Sequence, residues 1–202
     1  MSDETTTDDA TVIVVGGGPA GLSAALFAAK NGLETSVFDT DGTWMHKAQL
    51  FNYLGIGSVG GSEFMATARQ QVDDFGVDRR QDEEVTGVSE AGDGFTVETE
   101  AGSYEADFVV LATGANRELA EDLGVAFTDE DTVDVGVEME TSVSGAYATG
   151  AMVRPEEWQA AIAVGDGAAA ALNILSSVKG EHYHDFDVPD DAARVFGEHV
   201  AE

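Results

Sequence analysis

Apolar residues near the start of the chain are arranged as a buried strand, a turn and a helix, followed by a second strand. Residues 11–15 form an uninterrupted and mostly β-branched run, which is typical of a parallel strand with both faces covered. Residues 16–21 are rich in glycine, and the Ala-rich stretch 22–29 predicts a helix that Gly32 ends. Residues 35–38 predict the next strand. This order favours an α/β fold built on a parallel sheet with helices.

The middle of the chain predicts one amphipathic helix and a small antiparallel β-meander. Residues 62–75 repeat apolar positions at helical spacing, with Ser62 as the N-cap and Gly76 as the stop. The pattern then changes to short strands separated by glycine turns, which is typical of a meander. The predicted strands cover residues 84–88, 95–99 and 104–106.

Two later strands end in glycine, and the second leads into a long helix. Residues 108–112 are all apolar and predict a central strand, and residues 146–150 repeat the strand-then-glycine ending. Between them the chain is acidic and weakly patterned, with a candidate edge strand over residues 133–137. Residues 159–177 predict the helix.

Length and composition favour one folded domain. The 202 residues are 43% hydrophobic, which is enough for a sizeable core. We expect residues 1–10 to be a disordered lead-in, residues 11–180 to form the domain, and residues 181–202 to be an acidic C-terminal segment. The lead-in lacks the basic-then-apolar order of a signal peptide, and the longest apolar stretch, about 160–175, is broken by residues 165–167. We therefore expect no membrane span and a cytoplasmic protein.

The charge balance and the cysteine count exclude several functions. The chain has 39 acidic and 9 basic residues, a net charge of −30, so its surface repels nucleic acid and anionic lipid. So much self-repulsion suggests the protein of an extreme halophile, although an acidic protein of an ordinary organism has the same composition. The chain has no cysteine, which excludes a disulfide, a thiol nucleophile and a redox-active CxxC pair within it.

The glycine turn after the first strand has a specific chemical use. Gly16 permits a tight turn, Gly18 lets the backbone approach a pyrophosphate, and Gly21 lets the helix pack on the strand. The N-terminus of the following helix offers free N–H groups and a positive dipole end to phosphates. Asp39 follows the second strand, where a carboxylate accepts ribose hydroxyls, and an acid there favours FAD or NAD over NADP. The alternative is a glycine turn in a sheet that binds no nucleotide.

Separated pieces of the sequence together resemble one family. They are residues 16–21, 49–55, 61–65, 112–114 and 141–150, the last leading to Gln159 and Ala160. Over about residues 11–178 the chain resembles the FAD domain of the thioredoxin-reductase-like flavoproteins, within the pyridine nucleotide-disulfide oxidoreductase superfamily. The resemblance implies a Rossmann-like FAD-binding domain and a homodimer.

The resemblance also implies which residues surround FAD. The first glycine loop holds the pyrophosphate, the acid after the second strand holds the adenosine ribose, and a Gln and an Asn lie near the flavin. The implied cofactor-binding residues are Gly16, Gly18, Pro19, Ala20, Gly21, Asp39, Thr40, Gln49, Asn52, Val85, Ala112, Thr113, Gly114, Gly150, Ala151, Gln159 and Ala160.

The chain departs from the family pattern in three places. Family members insert an NAD(P)H domain, which also carries the CxxC pair, where this chain has only residues 115–144. Ala151 replaces the acid that in the family holds the ribityl or pyrophosphate region, a change that costs roughly one hydrogen bond, about 0.5–1.5 kcal/mol. Bulky residues 44–47 replace small glycines beside the flavin, and can cover the flavin or fill its space.

Several other side chains have a functional and a structural interpretation. Trp44 and Trp158 can stack on the isoalloxazine or on a substrate, or simply pack in loops. His46 and Lys47 can place charge or protons near the flavin, or lie in a solvated loop. Arg117 and Arg154 can bind an anionic substrate or form surface ion pairs. His182 and His184 need further ligands to hold a metal.

These observations support two classes of function. The first is a single-domain FAD oxidoreductase without disulfide-reductase chemistry, reduced by NAD(P)H, by a protein partner, or by its substrate with oxygen as the acceptor. The second is a non-catalytic FAD or NAD sensor or interaction module. A third is one chain of a two-chain reductase.

Overall fold

A computed structural model of the chain describes residues 10–192 and residue 195. The expected lead-in, apart from Ala10, and His199 of the C-terminal segment lie outside the described residues. The strands are β1 (Thr11–Val15), β2 (Glu34–Asp39), β3 (Gln49–Leu50), β4 (Val59–Gly60), β5 (Asp78–Gln81), β6 (Val85–Ala91), β7 (Gly94–Thr99), β8 (Ser103–Ala106), β9 (Phe108–Leu111) and β10 (Ala146–Ala148). The α-helices are α1 (Pro19–Lys30), α2 (Gly61–Asp74), α3 (Glu118–Leu123) and α4 (Ala160–Lys179), and short 3-10 helices cover Trp44–Lys47, Gly150–Val153 and Pro189–Asp191.

A five-stranded parallel sheet in the order β10-β9-β1-β2-β5 forms the centre of the fold. Val14 of the middle strand lies opposite Val37 on one side and Val110 on the other. The antiparallel meander β6-β7-β8 forms a separate sheet. The predicted α/β class, the parallel sheet and the meander are therefore confirmed.

Alternate residues of β1 serve two different cores, because successive strand side chains point to opposite faces. Val12 and Val14 pack with the buried residues of α1, α2 and α4. Ile13 and Val15 pack with the meander and with α3 on the other face. The uninterrupted apolar run that predicted this strand thus reflects burial on both sides.

Helix α4 runs without a break through residues 165–167, so the helix predicted over residues 159–177 is confirmed, with its apolar run interrupted there by polar and small residues. By length and composition alone it is able to cross a membrane. In this fold one side of it is buried, and it lies against α1 so closely that a Cβ at Gly167 would stand 2.0 Å from the Ala20 carbonyl oxygen. Glycine at this position is therefore a packing requirement.

Two local predictions are wrong. Gly60, not Ser62, is the N-cap of α2, and the Ser62 hydroxyl bonds to His46 instead. The candidate edge strand at 133–137 is absent from the described structure, where Val133 makes only an isolated bridge to Phe127. Three elements were not predicted: the polar strand β5, the short helix α3, and the hairpin of the two-residue strands β3 and β4.

The chain after α4 folds back onto α1. Lys30 forms ion pairs with Asp185 and Asp187, and the Tyr183 hydroxyl donates to Asn31 Oδ1 at 2.6 Å. Burial opposes the charge of Lys30, yet the two carboxylates leave the pKa of its ammonium group above its usual value. Within the described residues no cluster of three or more His, Asp or Glu can hold a metal, and His184 stacks on Phe186.

Candidate dinucleotide-binding site

The carboxyl ends of four parallel strands bring the sequence-predicted site residues to one edge of the sheet. Residues 16–18 follow β1, Asp39 ends β2, residues 112–114 follow β9, and Gly150 follows β10. In open α/β sheets this edge is where ligands bind.

The glycines of the first loop have different structural roles. A Cβ at Gly16 would stand 2.3 Å from the Ala112 carbonyl oxygen, and one at Gly21 would stand 1.8 Å from the Gly16 carbonyl oxygen. Packing within the protein therefore requires glycine at both positions. At Gly18 the nearest atom is Thr43 Oγ1, 3.8 Å away. The space beside Gly18 is open, so packing within the protein does not require glycine at this position.

Two helix N-termini point their free N–H groups at this edge. Gly18 is the N-cap of α1, Pro19 is its first residue, and no side chain caps it. Gln159 is the N-cap of α4, which Ala160 begins, and again no side chain caps the helix. Uncapped N–H groups and a positive dipole end are a ready anion site, which matters in a chain with so few basic residues.

Asp39 is buried, with 6% of its surface exposed, and is already partly bonded. Its Oδ2 accepts from Arg69 and from Gln81, each at 3.2 Å, and its Oδ1 accepts from the Asp41 backbone N–H at 3.0 Å. A carboxylate has about four acceptor positions, so one remains on Oδ1 for a ribose hydroxyl.

Arg69 is the residue of this site that sequence reasoning missed. It bridges Asp39 and Asp41, and its Nε is buried without a hydrogen-bond partner. Bonds from Arg69 and then from His46 hold the pKa of Asp41 below its usual value. Arg69 lies thirty positions from Asp39 on a different element, and no local pattern links the two.

Of the two amides that the resemblance places near the flavin, Gln49 and Asn52, only Asn52 contacts another predicted site residue. Asn52 Nδ2 donates to Gln159 Oε1 at 2.8 Å, across 107 positions of sequence. Gln49 instead donates to Ser58 Oγ at 2.9 Å, within the same loop. The first contact joins the chain after β3 to the start of α4.

The other predicted site residues differ in which of their groups can contact a ligand. Ala20 is buried beneath the loop, Thr40 is exposed, and Thr113 Oγ1 donates to the Asn116 carbonyl. The Val85 side chain is buried in the core on the meander face of the sheet, so only its backbone could reach a ligand. Ala151 lies in the 3-10 helix after β10 and has no polar side chain.

The two arginines considered for an anionic substrate have structural partners. Arg154 makes two bonds to the buried Asp166, at 2.6 and 3.1 Å, and Arg117 Nε donates to the Met152 carbonyl at 3.1 Å. Both interactions fix the segment after β10, which carries Gly150 and Ala151.

The residues at this edge fit a dinucleotide. The space left at Gly18, two uncapped helix N-termini and the remaining acceptor on Asp39 correspond to a pyrophosphate flanked by a ribose. The carboxylate of Asp39 would repel a 2′-phosphate, although Arg69 offsets part of its charge.

Comparisons with known proteins agree with this geometry. Residues 10–60 and 55–165 match the family model described as pyridine nucleotide-disulphide oxidoreductase. The thioredoxin reductase of Treponema pallidum is 37% identical over 113 residues, which are 54% of this chain and 36% of that protein. The F component of the alkyl hydroperoxide reductase of Staphylococcus aureus is 32% identical over 107 residues, 52% of this chain and 21% of that protein. The chain therefore matches about a third or less of the length of these relatives.

Solved structures share the fold at low sequence identity. A thioredoxin reductase from Gloeobacter violaceus superposes with a TM-score of 0.78 at 20% identity, over 89% of this chain and 99% of that chain. A ferredoxin-flavin thioredoxin reductase from Clostridium acetobutylicum gives 0.72 at 19% identity, over 86% and 99%. With its fold, its glycine loop and a family model matched over most of its length, this chain belongs to the pyridine nucleotide-disulphide oxidoreductase family.

Proposed function

We propose that this protein is an FAD-binding oxidoreductase without disulfide-reductase chemistry of its own. The observation that carries the proposal is the open space at Gly18, the uncapped N-terminus of α1, together with the uncapped N-terminus of α4, where Gln159 bonds to Asn52. The relatives of this chain, a thioredoxin reductase and a component of alkyl hydroperoxide reductase, give the redox class.

Each part of the cofactor has residues to hold it. Backbone N–H groups of the loop 16–20 and of the start of α1 would hold the pyrophosphate, and Asp39 would accept a ribose hydroxyl. Asn52 and Gln159 would lie at the flavin end. Bound FAD supplies the electron-transfer chemistry, while the protein orients it and sets its electrostatic surroundings.

The absence of disulfide chemistry is inferred from the connection between β9 and β10. The chain has no cysteine, and residues 112–145 contain only α3 and short bridges, too little for a second nucleotide-binding domain. Electrons would therefore come from diffusing NAD(P)H, from a separate protein, or from the substrate itself with oxygen as the acceptor. The Clostridium acetobutylicum relative in fold, whose name includes ferredoxin, supports considering a protein donor.

A non-catalytic FAD or NAD sensor is the second candidate, favoured by Ala151. An alanine there removes a side-chain acceptor from the segment after β10, and Arg154 is already paired with Asp166. A sensor of this kind would bind the nucleotide without turning it over.

The first test is FAD binding by a matched pair of glycine variants. Gly18→Ala adds a methyl group that contacts no protein atom closely but fills the space for the pyrophosphate. Gly102→Ala adds the same group in open space in the β7-β8 turn. We expect Gly18→Ala to lose about tenfold or more in FAD affinity, roughly 1.4 kcal/mol or more, and Gly102→Ala to bind as wild type. Equal binding by both variants, or no binding by the wild type, would refute the proposed site.

The second test separates the enzyme from the sensor. FAD-loaded protein is mixed without oxygen with NADH, with NADPH, or with a reduced ferredoxin, and the visible flavin absorption is followed. Bleaching by a physiological donor supports the oxidoreductase. A flavin that only dithionite reduces favours the sensor.

A further inference from the structure

The segment between β2 and β3 lies beside Gly18 at the carboxyl edge of the sheet and contacts the chain before α4. Strands β2 and β10 are separated by β9 and β1, which is three inter-strand steps, or about 14 Å. Yet Trp44, which follows β2, has its ring centroid 5.4 Å from that of Trp158, which follows β10. Residues 40–48, which we call the strap, therefore connect the chain after β2 to the chain just before α4, and Thr43 Oγ1 of the strap is the nearest atom to a Cβ at Gly18.

One side of the strap is held firmly to α2. Asp41 is bonded to Arg69 and, at 2.7 Å, to His46, whose other ring nitrogen lies 2.9 Å from the Ser62 hydroxyl. A Cβ at Gly61 would stand only 1.8 Å from the Met45 carbonyl oxygen, so backbone is packed on backbone here. These contacts combine charge, hydrogen bonding and close packing.

The other side of the strap is held by an exposed aromatic contact. Trp44 is 62% exposed and Trp158 is 42% exposed, and their rings are tilted by 57°. Trp158 is itself fixed, because its indole N–H donates to the Arg154 carbonyl at 2.9 Å. The strap thus has one attachment made of ion pairs, hydrogen bonds and closely packed backbone, and one made only of an exposed aromatic contact, and we expect the aromatic attachment to open first.

We propose that Trp44 and Trp158 act as a pair that clasps the strap over the bound cofactor and sets the rate at which FAD leaves. This inference rests on the proposed function. It differs from two tryptophans stacking separately on the flavin, because in a clasp each indole acts only through the other. Trp44 and Trp158 are thus positioning residues.

The clasp predicts a particular pattern of release rates. An aromatic pair contributes about 0.5–1.5 kcal/mol, so Trp44→Ala should speed FAD release by about 2- to 12-fold. Trp158→Ala should have a similar effect, and the double variant should release FAD no faster than the faster single variant. Trp44→Phe keeps an aromatic partner and should stay within about twofold of wild type. Phe186→Ala removes another exposed aromatic ring, away from the strap, and should change nothing.

The experiment measures FAD release after rapid dilution of the loaded protein, followed by flavin fluorescence. The apoprotein gives a second readout, because Trp44 and Trp158 are the only two tryptophans of the chain. Their coupled near-ultraviolet circular dichroism signal should vanish in either alanine variant, while the far-ultraviolet spectrum stays unchanged.

Three results would overturn the inference. If the wild type binds FAD but the alanine variants release it at the wild-type rate, the clasp is wrong and the proposed function stands. If the effects of the two single variants multiply in the double variant, the tryptophans act independently and the clasp is wrong. If the wild type binds no FAD, the proposed function and the clasp fall together.

Discussion

Two glycines of helix α4 give the sharpest test of the packing beneath the site. Gly167 and Gly165 lie two positions apart in α4. A Cβ at Gly167 would stand 2.0 Å from the Ala20 carbonyl oxygen, whereas a Cβ at Gly165 would meet nothing within 4 Å. The same substitution, glycine to alanine, should therefore have opposite effects on the free energy of unfolding.

The magnitudes follow from two competing terms. Alanine is favoured over glycine inside a helix by about 1 kcal/mol, so Gly165→Ala should stabilise the protein by about that amount. At Gly167 the added methyl group meets backbone, which cannot rotate away, and overpacking of this kind costs about 1–3 kcal/mol or more. Since about 1 kcal/mol of helix propensity offsets part of this cost, we expect a net loss of up to about 2 kcal/mol, or more if α1 must shift.

Thermal unfolding followed by circular dichroism measures both effects in one buffer. For a protein of this size 1 kcal/mol corresponds to about 2–4 °C in Tm. Gly165→Ala should raise Tm by about 2–4 °C, and Gly167→Ala should lower it by about as much or more. Because Ala20 lies in the first turn of α1, Gly167→Ala should also weaken FAD binding. A Gly167→Ala variant as stable as Gly165→Ala would refute the close helix contact.

Three further predictions concern charge and pH. Burial raises the pKa of Tyr147 to about 12, so between pH 10 and pH 12 only the unfolded chain loses the phenolic proton. The free energy of unfolding should therefore fall by about 2–3 kcal/mol over that interval. Urea titrations should show a smaller fall for Tyr147→Phe. Arg69→Gln removes charged hydrogen bonds from Asp39 and Asp41 and should cost about 1.5–3 kcal/mol at pH 7. Because the pKa of Asp41 is depressed in the folded wild type, that stabilisation is present above pH 3.8 and lost as the pH falls further. The free energies of unfolding of wild type and Arg69→Gln should therefore become equal in acid. A difference that stays constant with pH would contradict the ion pair. Finally, a net charge of −30 should make Tm rise when KCl is raised from 0.1 to about 2 M. The reason is that the Debye length falls from about 10 Å to below 3 Å, which screens the repulsion between the acidic side chains. An unchanged Tm would contradict a halophile-type surface.

Elements with a strong hydrophobic period could be predicted from the sequence, and those held by tertiary contacts could not. The apolar run of β1 and the glycine-separated strands of the meander show their burial directly. Strand β5, with the sequence Asp-Arg-Arg-Gln, has no apolar alternation, and it is a strand because it pairs with β2. Residues 133–137 alternate like a strand, but only Val133 finds a bridging partner.

The candidate site likewise contains residues that the sequence identifies and contacts that it does not. Gly16, Gly18 and Asp39 could be identified because glycine spacing and strand order are local features of the sequence. The Asn52–Gln159 contact spans 107 positions, and the Arg69–Asp39 pair joins two separate elements. Such contacts depend on how strands and helices are arranged in space, and nothing near either residue indicates its partner.

Both edges of the parallel sheet are closed to pairing with another chain. At one edge β5 presents Arg79 and Arg80, each tied to a carboxylate, and charged side chains on an edge strand oppose the addition of a further strand. At the other edge β10 is three residues long, and Tyr147 is bridged antiparallel to Glu140 of the preceding segment. A second copy of this chain could not extend the parallel sheet without displacing these groups, so self-association has to use other surfaces of the protein. The same edge chemistry would keep the protein dispersed in concentrated salt, where charge repulsion between molecules no longer keeps them apart.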